Sequence, residues 1–218
     1  MPQTRPFHNK IQDVKARVGH MASLARKSLL DGTTSLENLD QALANEVIAR
    51  DKELNRIDVE IEREILDLIA LHQPMGGDIR TLGACIKMIT YIDRIGRYGY
   101  DIAKVTKEFE GKQHIRKLVV IPTMAELVAQ MLDDAMEAFQ KGDLEKARSV
   151  FQKDERVDVF YDQVFRQCVT HMLEDPATIS QCAHYILVAR HLERAGDNAC
   201  KVAEKTVYMI SGKRRLDV

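Results

Sequence analysis

The chain of 218 residues carries one helical pattern twice, and this repetition restricts its fold more than any other feature. Displaced by 103 positions, Met21, Ala22, Leu24, Asp31, Asp40, Ala44, Val47 and Asp51 fall on Met124, Ala125, Leu127, Asp134, Asp143, Ala147, Val150 and Asp154. Further along the displacement becomes 100, and Asp93-Arg94-Ile95-Gly96 falls on Glu193-Arg194-Ala195-Gly196. A period of this size is too long for a solenoid unit, so the chain reads as one small domain duplicated. The expected units are residues 1–110 and 111–218, divided at Glu110-Gly111-Lys112-Gln113-His114.

Apolar residues recur at helical spacing throughout. Ile11, Val14, Val18, Met21, Leu24 and Ala25 predict a first helix over about residues 9–38. Gly32-Thr33-Thr34 leaves open whether that helix continues or kinks. Asp40 is a suitable N-cap for a second helix, which Pro74 ends because proline excludes the residue before it from helical geometry. A third helix covers about residues 75–109, and a fourth follows Ile121, with Pro122 in its first turn. Gly142-Asp143 stops the fourth and caps a fifth; Asp175-Pro176 separates the fifth from a sixth over about residues 177–210. Short connections make neighbours antiparallel, so each half is expected to be an up-down-up bundle. The expected fold is all-α: six helices in two similar antiparallel three-helix bundles.

Composition excludes several classes. Hydrophobic residues make up 45% of the chain, enough for a core, while 11 Gly and five Pro are too few for an all-β protein. With 32 basic and 33 acidic residues, the chain lacks the positive excess of a nucleic-acid binder. Lys213-Arg214-Arg215 reads as a solubilising cluster at a helix end. The start has no apolar segment of the kind found in signal peptides, and no apolar stretch reaches the roughly 18 residues of a membrane span. Cys85, Cys168, Cys182 and Cys200 lie far apart without a C-x-x-C motif, and are expected to be reduced and buried. A cytoplasmic protein is the expectation.

Side chains seven apart stack along one ridge of a bundled helix. Carboxylates interrupt these ridges: Glu193 in Ile179, Ile186, Glu193, Cys200, Val207, and Asp158 in Phe151, Asp158, Phe165, Met172. Asp154 interrupts the row Ala147, Asp154, Tyr161, Cys168. Burying a carboxylate is costly without positive compensation. Asp154 with Asp158, and Glu193 with Asp197, are i,i+4 pairs, so two antiparallel helices could gather four carboxylates. Oxygen-only clusters suit Mg²⁺, Ca²⁺, Mn²⁺ or multinuclear iron. The competing reading is structural ion pairing, with Arg156, Arg190 and Arg194 as partners. No Glu-x-x-His or H-E-x-x-H spacing occurs, which disfavours ferritin-type di-iron and zinc-protease sites. His72 and His171 read as helix-end groups. No phosphate loop, nucleophile elbow or Cys/His nucleophile pair occurs, so no catalytic residue is assigned and no enzyme is expected.

At these residues the chain resembles the PhoU family of phosphate-uptake regulators over nearly its whole length. Leu71-His72-Gln73-Pro74-Met75-Gly76-Gly77-Asp78-Ile79-Arg80 is similar to the family's Q-P-x-x-x-D-L-R segment, and Glu193-Arg194-Ala195-Gly196-Asp197-Asn198-Ala199 to its E-R-x-G-D-x-A segment. Asp93-Arg94-Ile95-Gly96-Arg97-Tyr98 is the same motif in the first half. The resemblance implies bundles related by pseudo-twofold symmetry and metal clusters on E/D-x-x-x-D pairs. Asp154, Asp158, Glu193 and Asp197 match in the second half, and Asp51 and Asp93 in the first. There Asn55 stands at the place of Asp158, and Arg97 replaces the second acid. A guanidinium close to Asp93 favours an ion pair and repels a cation, so a competent second site and an altered or empty first site are expected. Asp101, two turns beyond Asp93, is too far along the axis to replace the lost ligand.

The resemblance further implies a non-enzymatic, metal-binding regulator of phosphate transport and phosphate-starvation signalling. Its cation would be iron, zinc, manganese, magnesium or calcium. Its partners would be the phosphate transporter's ATPase subunit and a sensor histidine kinase, reached by peripheral association with a membrane complex, with no nucleic acid. A homodimer is the default for a symmetric soluble protein. The competing functions are a metal-storage or buffering bundle and a metal-dependent phosphohydrolase.

Overall fold

Each stretch of helical periodicity forms a helix, in a computed structural model that describes residues 5–213. Arg214 and Arg215 of the basic cluster lie outside the described residues. The order is α1 (Arg5–Asn38), α2 (Gln41–His72), α3 (Gly77–Glu108), α4 (Val120–Lys141), α5 (Leu144–Glu174) and α6 (Ile179–Ser211). A 3₁₀ turn, Pro176–Thr178, precedes α6. Among the described residues there is no strand, and no helix is long and apolar enough to cross a membrane.

The helix ends have identifiable causes. The Asp40 carboxylate accepts from the amides of Ala42 and Leu43, and the Asp143 carboxylate from that of Lys146, supplying donors at two helix starts with partners. Gln73 adopts left-handed geometry (φ 46°) before Pro74 and donates its N–H to the Ile69 carbonyl, ending α2. Gly142 ends α4 in the same left-handed region (φ 70°).

Helix α1 continues through Gly32-Thr33-Thr34. The Thr33 hydroxyl donates to the Leu29 carbonyl and the Ser35 hydroxyl to that of Gly32, so these buried groups are satisfied without breaking the helix. Gly32 and Gly99 permit backbone contact between α1 and α3. A Cβ on Gly32 would stand 2.4 Å from the Gly99 carbonyl oxygen, and one on Gly99 2.4 Å from that of Ser28. The repeat-equivalent residues, Ala135 and Ala199, are both fully buried.

Within each half, all three helices pack on one another. Between halves, α1 meets α4 and α3 meets α6. Both pairs join equivalent helices of the repeat, as a twofold relation between similar bundles requires. One continuous apolar core therefore runs from Val14, Met21, Ile61 and Ile92 to Met124, Val157, Leu192 and Val202. Each large side chain buried there contributes about 1.5–3 kcal/mol. The connecting segment is anchored to both halves. His114 hydrogen-bonds the Leu36 carbonyl of α1 (2.8 Å) through Nε2 and the Tyr185 hydroxyl of α6 (2.8 Å) through Nδ1. Phe109 stacks on the same tyrosine.

Candidate functional site

The repeated acids have three distinct roles. Asp40 and Asp143 are helix caps. Asp31 and Asp134 are ion-paired: Asp31 with Arg50 (2.8 Å) and Lys27 (2.9 Å), and Asp134 with Lys146 and Lys153. The third pair, Asp51 and Asp154, faces the α2–α3 and α5–α6 seams, and there the halves diverge.

In the second half, α5 and α6 bring Asp154, Asp158, Glu193 and Asp197 into one electrostatic neighbourhood. Burial raises the Asp154 pKa, and the negative charges of Asp197 and Asp158 raise it further. Burial likewise raises that of Glu193, reinforced by Asp197 and Asp158 and opposed chiefly by Arg190. Asp154 lies against Gly196, where a Cβ would stand 3.1 Å from its Oδ1. Cys200, one turn further along α6, lies close to the Asp154 carboxylate, and burial, reinforced by that neighbouring charge, pushes the thiol pKa up. Asp158 and Asp197 sit at the exposed rim.

Ion pairing accounts for only part of this cluster. Arg190 binds Glu193 Oε1 at 2.7 Å, while Glu193 Oε2 is buried without a partner. Among the described residues no basic side chain forms an ion pair with Asp154, Asp158 or Asp197. Arg156 and Arg194, the other expected partners, form no ion pair with these acids. The donor set is all oxygen, which suits a hard cation. As the side chains stand, no group of three or more His, Cys, Asp and Glu among the described residues could hold a metal ion. Mutual repulsion favours keeping the carboxylates apart.

The first half places Arg97 in the equivalent seam. Its Nη1 binds Asp51 Oδ2 at 2.9 Å, its Nε lies 3.8 Å from Asp101, and its guanidinium carbon is 4.1 Å from the Tyr100 ring centroid. The ion pair thus forms with Asp51 on the neighbouring helix rather than with Asp93, on which the same guanidinium acts electrostatically. Arginine is long enough to cross from α3 to α2. The Asp93 pKa is raised, first by burial and then by Asp51, with Arg97 and Arg94 opposing.

Sequence reasoning missed Asp58. Burial, Asp93 and Glu62 raise its pKa to about 6, and its Oδ1 is buried without a partner. The signal was present: Ala44, Asp51, Asp58 and Ile65 form a seven-residue ridge equivalent to Ala147, Asp154, Tyr161 and Cys168. Tyr161 stands in the second half where Asp58 stands in the first. The two helix-end histidines have ordinary local contacts, His72 with the Phe7 ring and His171 with Glu174. The four cysteines are buried and free.

The PhoU domain model matches the chain twice, over residues 18–106 and 121–206. The PhoU homolog of Clostridium acetobutylicum, called a phosphate-specific transport system accessory protein, is 31% identical over 209 residues, covering 95% of each chain. The Serratia marcescens protein of that description is 32% identical over 207 residues, covering 95% of this chain and 85% of its own. The crystal structure of PhoU from Pseudomonas aeruginosa superposes with a TM-score of 0.90 at 31% identity, covering 95% of this chain and all of that one. Two copies of the domain, in the two three-helix bundles and in the order of the internal repeat, show that this chain belongs to the PhoU family.

Proposed function

We propose that this chain is a cytoplasmic, non-enzymatic regulator of phosphate transport whose α5–α6 seam binds a metal cation. The regulatory part rests on relatives named as phosphate-specific transport system accessory proteins across nearly the full length of this chain. Contact with the transporter's ATPase subunit and with a sensor histidine kinase is the corresponding mode of action, reached from the membrane surface by a peripheral protein.

One observation carries the cation site: three carboxylates in the second half lack an ion-pair partner at the place where Arg97 occupies the first half. Asp154, Asp158, Glu193 and Asp197 would hold the ion, whose charge would relieve repulsion that the protein itself leaves uncompensated. Asp51 and Asp93 have a guanidinium close by, so the first half is the weaker or empty site. Gly196 leaves room for Asp154 beside α6, and Arg190 orients Glu193 by holding one of its oxygens. Oxygen ligands admit magnesium, calcium, manganese or iron, and zinc less readily.

Elemental analysis of protein purified without chelator tests this reading. Bound metal is expected in the unaltered chain, with its loss in Asp197→Ala and retention in Arg97→Ala. Equal metal content in the unaltered chain and Asp197→Ala would reject the site. Co-purification with transporter components tests the regulatory part independently.

A further inference from the structure

A second polar cleft lies between the first turns of α3 and the last turns of α6, at the end of the molecule bearing the α2–α3 turn. It has a volume of about 410 Å³ and is lined by Ile79, Arg80, Gly83, Ala84 and Lys87 of α3 and by Lys205 and Tyr208 of α6. Arg80 and Lys87 lie seven apart on one α3 stripe, and the small pair Gly83-Ala84 between them leaves the floor open. Three cations and a phenol hydroxyl thus converge on a concavity that no carboxylate lines.

These cations are not committed elsewhere. Among the described residues, the side chains of Arg80, Lys87 and Lys205 take part in no ion pair or hydrogen bond. The Arg80 Nε is buried without a partner. Its guanidinium lies beside Gly212, whose Cβ position would be 3.8 Å from Cζ, yet no carbonyl of α6 accepts a bond from it. Asp78, the nearest acid in sequence, faces His8 of α1 at 3.8 Å. A buried guanidinium nitrogen left unpaired costs free energy unless an acceptor enters the cleft.

Nor is the cleft a by-product of duplication. The equivalents of Arg80, Lys87, Lys205 and Tyr208 are Ser180, Leu187, Val105 and Glu108. The symmetry-related positions therefore carry none of these three cations and place an acid where the phenol stands.

We propose that this cleft binds a phosphate-class oxyanion, either free inorganic phosphate or the phosphate of an anionic lipid headgroup. The planar guanidinium presents paired N–H donors that match two oxygens of such a group, and the two ammonium groups and the Tyr208 hydroxyl can reach the others. The site is separate from the seam of Asp154 and Glu193 and does not depend on a cation bound there.

Calorimetric titration of the full chain with inorganic phosphate tests the free-anion source. Sedimentation with phosphatidylglycerol vesicles, against phosphatidylcholine vesicles at the same salt concentration, tests the lipid source. Binding in either arm is expected, weakened about tenfold or more by Arg80→Gln and by Lys205→Gln, and unchanged by Asp197→Ala. Lys87→Gln alters an exposed side chain and serves as the variant least able to disturb folding, and it too should weaken binding. Phosphate binding without vesicle binding assigns the free anion; vesicle binding without phosphate binding assigns the headgroup. Absence of both, equal binding of succinate, or binding unchanged in all three cleft variants would overturn the proposal.

Discussion

Asp51 and Asp154 occupy equivalent places in the two bundles, each on the middle helix of its half and facing the last. Asp51 meets Arg97; Asp154 meets Asp197 and the thiol of Cys200. The surrounding helices differ in the same direction. Gly32 and Gly99 let α1 and α3 touch through their backbones, while Ala135 and Ala199 stand at the corresponding positions of α4 and α6. The first half is tightly joined, and at its seam Arg97 pairs with Asp51, although among the described residues Asp58 and Asp93 form no ion pair. The second keeps concentrated negative charge at a seam with no ion pair to balance most of it. A duplicated fold can thus retain its architecture in both copies while an arginine enters the acidic seam of only one.

The contrast in packing should give the largest effect. Gly99→Ala forces a methyl group against the Ser28 backbone and should cost about 3 kcal/mol, measured by urea unfolding. Ala199→Gly should cost about 1–2 kcal/mol, from backbone entropy and a lost methyl contact. Similar costs for the two would mean that close backbone contact does not distinguish the halves.

Charge can be tested by restoring the missing acids. Arg97→Asp combined with Asn55→Asp gives the first seam a carboxylate at each of the four places where the second has one, with Asp93 in place of Glu193. Without added metal the variant should lose about 1 kcal/mol, a modest figure because Arg97 is 49% exposed and its pairing is screened. In metal titration it should gain a second equivalent. A single equivalent, the number expected of the unaltered chain, would show that acid count alone does not make the site.

The smallest effect concerns Asp58, whose raised pKa of about 6 has a defined sign. A carboxyl with a folded pKa above its unfolded value stabilises the fold below about pH 4, and that contribution is lost as pH rises through about 6. Asp58→Asn should therefore raise stability at pH 8 by about 1 kcal/mol, after discounting for solvent screening. The gain should disappear near pH 4. A pH-independent difference would point to packing.

Much of this arrangement was legible in sequence because its causes are local. Asp40, Pro74, Asp143 and the Asp175-Pro176 turn mark helix ends through chemistry confined to a few residues. The i,i+4 spacing of Asp154 with Asp158 and of Glu193 with Asp197 likewise places each pair on one helix side. What escaped depends on neighbouring helices. The choice of Asp51 as the partner of Arg97 follows from how α2 and α3 lie together. The thiol of Cys200 reads as apolar filling until Asp154 is placed beside it. Asp58 has no acidic counterpart in the repeat, since Tyr161 holds the equivalent place, so the duplication does not reveal it. Arg80 and Lys205, on different halves, share a cleft only because α3 packs against α6.

The continuous core and the His114 clasp also bear on how the protein responds to heat and to ligands. With α1 against α4 and α3 against α6, neither bundle can unravel without exposing the buried face of the other. Unfolding should therefore be a single cooperative transition. Under that condition, a ligand bound at one end stabilises the whole chain, because its free energy is added to the one equilibrium both bundles share. Amide exchange in α1, remote from any ion at Asp154, then becomes a gauge of that ion's occupancy.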